Sequence, residues 1–204
     1  MSGVRLRHAL RADLQRISDL WVDAFTSDPY LRWIQPDDQL WPGFGSAWMT
    51  FIVELAFERG HTYLADPPDV AVAWIPPDLS LVGPDDIARG RAIIAAHAGE
   101  ARADAALETI IAARGHALDD PHWTLQYVGV RSARRGAGLG AAAVAPTLDV
   151  CDAEVLPCGL VSTNPRNVSF YERLGFRVGA EVATPDGAVA LRPMHRMPTT
   201  QAPS

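Results

Sequence analysis

Leu125-Gln126-Tyr127-Val128-Gly129-Val130, followed by Arg131-Ser132-Ala133-Arg134-Arg135-Gly136-Ala137-Gly138-Leu139-Gly140, is an apolar run that empties into a glycine loop. Glycines at the alternate positions 136, 138 and 140 leave little side-chain bulk, so the backbone N–H groups of the loop can converge on one anion. Such a loop opening a helix is a phosphate cradle, because the unsatisfied N–H groups and the positive end of the macrodipole point at the ligand. Arg131, Arg134 and Arg135 concentrate positive charge beside it, in a chain whose formal net charge is −6. Strand, loop and helix in this order predict an α/β domain that holds a phosphorylated ligand. Gly136-x-Gly138-x-x-Ala141 also satisfies the dinucleotide fingerprint. Against that reading, the loop lies two-thirds along the chain and few βα units follow it to build a doubly wound sheet.

The rest of the composition narrows the classes. A chain of 204 residues is long enough for one well-buried domain and short for two. The acidic balance argues against general nucleic-acid binding, which needs a basic face. Cys151 and Cys158 do not make a disulfide framework, and no Cys/His cluster has zinc spacing, so no metal is expected. No segment approaches a membrane span and no apolar leader is visible, so the expectation is a soluble, cytoplasmic protein with no membrane partner. All 18 basic side chains are arginine; the absence of lysine excludes a Walker A loop, a pyridoxal Schiff base and a lysine nucleophile.

Periodicity predicts a short strand at Val4–Arg7 and a helix over Asp13–Phe25 with Leu14, Ile17, Leu20, Trp21 and Phe25 on one face. A helix over Trp48–Phe57, ended by Gly60, follows the Pro- and Gly-punctuated stretch that includes Pro42-Gly43. Strands are expected at Thr62–Ala65 and Val70–Ile75 around the turn Asp66-Pro67-Pro68-Asp69. Residues 85–115 read as one or two helices broken near Gly99, and His122–Val130 as the strand before the loop. The helix after the loop runs to about Glu154 with Val144, Leu148, Cys151 and Val155 on one face, distorted at Pro146. A strand at Gly159–Thr163 precedes Asn164-Pro165, a helix start, since Asn caps and Pro suits the first turn. Gly175 ends that helix, and strands at Phe176–Val178 and Ala188–Leu191 close the sheet. Residues 1–196 are expected to form one domain and 197–204 a flexible tail.

Arg131 to Gly140 resembles the acyl-CoA signature of the GNAT superfamily of N-acyltransferases, with Arg135, Gly138 and Gly140 on its core pattern. Asn164-Pro165-Arg166-Asn167-Val168-Ser169-Phe170-Tyr171-Glu172-Arg173-Leu174-Gly175-Phe176 resembles the second motif of that superfamily, an Asn-opened helix that carries a Tyr and ends in Gly-Phe. Ala24-Phe25-x-x-Asp28-Pro29-x-x-Arg32-Trp33, Ala73-Trp74-Ile75-Pro76-Pro77 and Pro121-His122-Trp123 resemble the puromycin N-acetyltransferase-like branch. Ser132 stands where a proline is common. The resemblance covers most of residues 5–192. It implies a single α/β (α+β) domain with a mixed, mostly antiparallel central sheet and helices on both faces. It also implies direct transfer of acetyl from acetyl-CoA to an amine of a small molecule, an antibiotic or a metabolite, with protein or peptide acetylation and a non-catalytic CoA-binding module as alternatives. A homodimer is one partner state the resemblance allows.

On this resemblance the backbone of Arg135, Gly136, Ala137, Gly138, Leu139 and Gly140 binds the pyrophosphate. Val128, Gly129 and Val130 pair with the pantetheine like an added strand, with a backbone N–H, that of Val128, for the developing oxyanion. Gly129 within a strand predicts a bulge or a close backbone approach. Tyr171 is the candidate general acid, although Val168, Tyr171 and Leu174 also describe an apolar helix face. Asn164 is a helix cap or a cofactor neighbour, and Asn167 faces the pantetheine or water. Gln126 cannot serve as a base, which leaves His122, Glu54, Glu58, Asp28 or a water chain. The acceptor site is expected in residues 21–57, where Trp21, Phe25, Tyr30, Trp33, Trp41, Phe44, Trp48, Phe51 and Phe57 cluster, with Asp28, Asp37 or Asp38 at its rim.

Overall fold

Val70–Ile75 is buried at all six positions, and this identifies it as a strand covered on both faces. In the computed structural model, which describes residues 4–199, it is β3 of a mixed sheet. The strands are β1 (Leu6–His8), β2 (His61–Ala65), β3, β4 (Trp123–Val130), β5 (Cys158–Ser162), β6 (Arg177–Val178), β7 (Val182–Ala183) and β8 (Ala190–Arg196). Their order across the sheet is β1-β2-β3-β4-β5-β8-β6, with β7 paired to β8. Every pairing is antiparallel except β4 with β5.

Helices α1 (Leu14–Phe25), α2 (Pro29–Ile34), α3 (Trp41–Arg59), α4 (Pro84–Ala98) and α5 (Glu100–Arg114) cover one face. Helices α6 (Leu139–Ala153) and α7 (Val168–Arg173) cover the other. The alternation of β3 sorts its side chains accordingly: Ala71, Ala73 and Ile75 join Leu20, Trp21 and Phe44, while Val70, Val72 and Trp74 join Val144, Leu148 and Cys151. Each large side chain buried this way contributes about 1.5–3 kcal/mol.

Several elements differ from the sequence expectation, each for a physical reason. Helix α3 starts at Trp41, seven residues early, because Pro42 occupies its first turn, where the missing N–H costs nothing. Helix α2 is absent from the sequence reading; Asp28 accepts from the N–H groups of Tyr30 and Leu31, and Pro29 opens the turn. Helices α4 and α5 break at Gly99, whose φ of 86° favours glycine. Val155 is not on the buried stripe of α6: it lies beyond the helix end at φ 55° and is 61% exposed. Strand β8 runs to Arg196, longer than expected, and β7 is an addition. The predicted tail falls partly outside the described residues; within them, Thr199 N donates to Asp152 Oδ1 at 2.7 Å.

Candidate active site

The parallel contact between β4 and β5 lasts for two residue pairs, Trp123 with Cys158 and Thr124 with Gly159. Beyond it the strands part. The register of β4 against β3 also shifts there, Ala73 facing Tyr127 and Trp74 facing Leu125, so Gln126 is the extra residue of a bulge. The bulge inverts side-chain parity: Trp123 and Leu125 point to the α6 face, as do Val128 and Val130 after it, while Tyr127 turns to the α1 face. The bulge therefore lies at Gln126, and Gly129 has the other role, a close approach. A Cβ on Gly129 would lie 2.5 Å from Trp21 Cδ1, so the residue is glycine because the indole packs on the backbone.

Arg131 N donates to Asp69 O on the β3 side at 2.8 Å. Strand alternation then turns the backbone groups of Val128 and Val130 to the opposite, open edge, and those of Gly129 toward β3. At the end of β4 the loop is braced: Ser132 donates through N and Oγ to the Asp23 carboxylate (2.6 and 2.8 Å), and Arg135 Nη2 donates to Ala24 O at 2.5 Å. Arg134 pairs with Asp69 at 3.2 Å. Gly136 and Gly138 have φ of 80° and 77°, and no atom lies within 4 Å of a Cβ built on either. Among the described residues, the N–H groups of Gly136 to Gly140, Ala137 and Leu139 included, donate to no protein acceptor and stand at the start of α6. That set of converging donors over open space fits a pyrophosphate. A Cβ built on Gly140 would lie 3.4–3.5 Å from Phe170 and Val130, so α6 starts close against α7 and β4.

Helix α7 borders the gap from the far side. Asn164 Oδ1 accepts from Arg166 N at 3.0 Å, which makes it the cap of the turn before α7. Asn167 and Tyr171 both line the cleft. Tyr171 packs edge-on to Phe170 and Phe176, with centroids 5.0 and 6.1 Å away. Its hydroxyl has no protein partner among the described residues, and burial, with Asp28 nearby, raises its pKa above the ordinary 10.0.

The cleft continues into a cavity of about 380 Å³ on the α1 face. Phe25, Tyr30, Trp48 and Phe51 line it, as the aromatic segment predicted, but Trp21, Trp41 and Phe44 are core. The remaining wall is Ile94 of α4, Ala106, Ile110 and Arg114 of α5, His122 and His195. No periodicity in residues 85–115 distinguished a cavity wall from a core, so this half of the site was missed. Trp48 Nε1 donates to Tyr127 Oη at 3.2 Å, and Tyr30 Oη donates to Ala106 O at 2.6 Å.

Of the sequence candidates for a base, Glu54 and Glu58 face solvent in ion pairs with Arg89 and Arg11 and do not line the cavity. Asp38 pairs with Arg32, and neither it nor Asp37 reaches the rim. Asp28 is buried and committed to two N–H groups of α2 and to Thr163 Oγ1 at 2.6 Å; desolvation raises its pKa. His122 Nδ1 lies 2.8 Å from Asp120 O, so Nδ1 carries a proton and donates to that carbonyl.

Residues 86–176, from α4 through α7, match the acetyltransferase (GNAT) family. The crystal structure of histone acetyltransferase HPA2 and related acetyltransferase from Corynebacterium glutamicum superposes with a TM-score of 0.67 at 26% identity, covering 98% of this chain and 99% of that one. By these likenesses the segment 86–176 resembles the GNAT acetyltransferase family, and the whole chain shares the fold of such proteins. An uncharacterized N-acetyltransferase of Schizosaccharomyces pombe is 41% identical over 58 residues, a segment that is 28% of this chain and 24% of that protein. Arylalkylamine N-acetyltransferase 2 of Aedes aegypti shares the GNAT fold alone, at 10% identity and a TM-score of 0.62 over 96% of this chain and 99% of that one. Among the described residues no helix is long and apolar enough to cross a membrane.

Proposed function

We propose that this chain transfers an acetyl group from acetyl-CoA directly to the primary amine of a small molecule. One observation carries the proposal: the gap between β4 and β5 has unpaired loop N–H groups at one end and an apolar cavity at the other, with the Tyr171 hydroxyl beside it. Bound acetyl-CoA would supply the activated thioester. The N–H groups of Gly136, Gly138 and Gly140 hold its pyrophosphate, and the open-edge groups of Val128 and Val130 pair with the pantetheine amides. The Val128 N–H then donates to the thioester oxygen as charge develops on it. Tyr171, kept neutral by burial, gives its proton to the departing thiolate. His122 Nε2 takes a proton from the incoming ammonium.

The three segments that resemble the puromycin N-acetyltransferase-like branch each border the cavity, through Phe25 and Tyr30, Ile75, and His122. A cavity walled by α2 to α5 favours a small acceptor over a protein tail. Thiol release from acetyl-CoA, measured with a panel of small amines and with lysine- and amine-terminated peptides, tests this. Turnover on small amines alone is the expected result. Turnover on peptides only would redirect the proposal to protein acetylation, and CoA binding with no turnover on any amine would sink it.

A further inference from the structure

The cavity wall holds a cation, Arg114, whose charge no anion among the described residues balances. Arg114 ends α5 and lines the wall. Its guanidinium makes no hydrogen bond or ion pair among the described residues. The other charged groups on the wall are already matched. Arg91 pairs with Glu100 and Asp104, and Asp86 with Arg59; Asp28, which does not line the cavity, accepts from two N–H groups and Thr163. The remaining titratable side chains of the wall, His122, His195, Tyr30, Tyr127 and Tyr171, include no carboxylate. Burial lowers the Arg114 pKa from its ordinary value, which reports a guanidinium drawn away from water without a counter-ion. Beside it, Tyr127 accepts from Trp48, and its own hydroxyl donates to no acceptor among the described residues. An apolar chamber that presents a free guanidinium fork and a free O–H is complementary to a planar anion.

We infer that Arg114 anchors a carboxylate on the acceptor, so that the amine acetylated here belongs to an amino-acid-like molecule with an apolar side group. The inference rests on the transfer reading above and adds the substrate class. A simple amine would leave the half-buried guanidinium unpaired, and a site built around such a donor rejects ligands that cannot meet it.

The test compares L-phenylalanine, L-leucine and L-tryptophan, each with its decarboxylated amine and its carboxamide, on the purified full chain. Binding is read by calorimetry with CoA present, and transfer by thiol release with acetyl-CoA. The free acids are expected to bind and react at least about tenfold better than both carboxylate-free partners. Arg114→Gln should weaken binding of the acids about 10–100-fold and leave the carboxylate-free partners within about threefold, and Arg114→Lys should fall between, charge kept and fork lost. Carboxylate-free partners used as well as the acids by the unmodified protein would overturn the inference whether or not any variant folds, as would a preference that survives in Arg114→Gln. Arg114-dependent binding of the acids with no thiol released on any amine would support the anchor and overturn the transfer reading.

Discussion

At the loop end of the cleft the free groups are backbone N–H donors of five consecutive residues, Gly136 to Gly140, whereas the far end is lined by side chains gathered from helices α1 to α5 and strands β3, β4, β5 and β8. The first kind of site needs a short stretch of chain with permissive φ and a helix behind it. The second needs the whole sheet to be in place, because Tyr30, Trp48, Ile94, Ala106, Arg114 and His122 are far apart along the chain. The contrast predicts that the two ends can be damaged separately.

The largest effect is expected where the two ends meet. Tyr171→Phe keeps the ring and its contacts with Phe170 and Phe176, so acetyl-CoA affinity should stay within about twofold while turnover drops about 10²–10⁴-fold. Stopped-flow or steady-state thiol release with parallel calorimetry separates the two, and an equal loss in both would reassign Tyr171 to packing. Because burial raises its pKa above 10.0, deprotonation of Tyr171 should not limit the rate below about pH 10.

A paired experiment sharpens the separation. Gly138→Val forces a β-branched residue to φ 77° and places its side chain over the unpaired donors. It should weaken acetyl-CoA about tenfold or more with little change in acceptor KM. Ile110→Trp instead fills the cavity from α5 and should raise acceptor KM about tenfold with acetyl-CoA binding intact. If either substitution moved both constants together, the two ends would be one coupled unit.

The smallest effect concerns the strut between them. Asp28 ties α2 to Thr163 at the end of β5. Asp28→Ala should cost about 1–2 kcal/mol in urea unfolding, and Asp28→Asn less, since Asn caps as well as Asp. Desolvation raises the Asp28 pKa, so the folded state holds this proton more tightly than the unfolded chain does. Stability should accordingly decline as pH rises through the ordinary value of 3.8, and Asp28→Asn should lack that decline. A variant that kept the full pH dependence would show that the decline comes from other carboxylates.

How much of this was legible depended on how local the cause is. The glycine loop, the break at Gly99, the cap at Asn164 and the buried strand Val70–Ile75 each follow from a few adjacent residues, and each appears where expected. The start of α3 was misplaced because Pro42-Gly43 reads as a stop on its own, and only packing of Trp41 and Phe44 in the core makes it a start. Gly129 shows the same limit at a single residue. A glycine in a strand announced a bulge or a close contact, and only the position of Trp21 selected the contact while the bulge went to Gln126.

The sequence by itself therefore determined the loop end of the proposed site: a strand, a glycine loop and a capped helix in an order that local propensity and the helix macrodipole make into an anion cradle. Tertiary structure alone decided the cavity end. Whether Arg114, Tyr127 and His122 face a cavity, a core or solvent depends on how α4 and α5 lie across the sheet, and on where β4 and β5 part. Backbone donors need only their neighbours in the chain to be aimed. Side chains that converge from several helices and strands are aimed by packing, which no local stretch of residues contains.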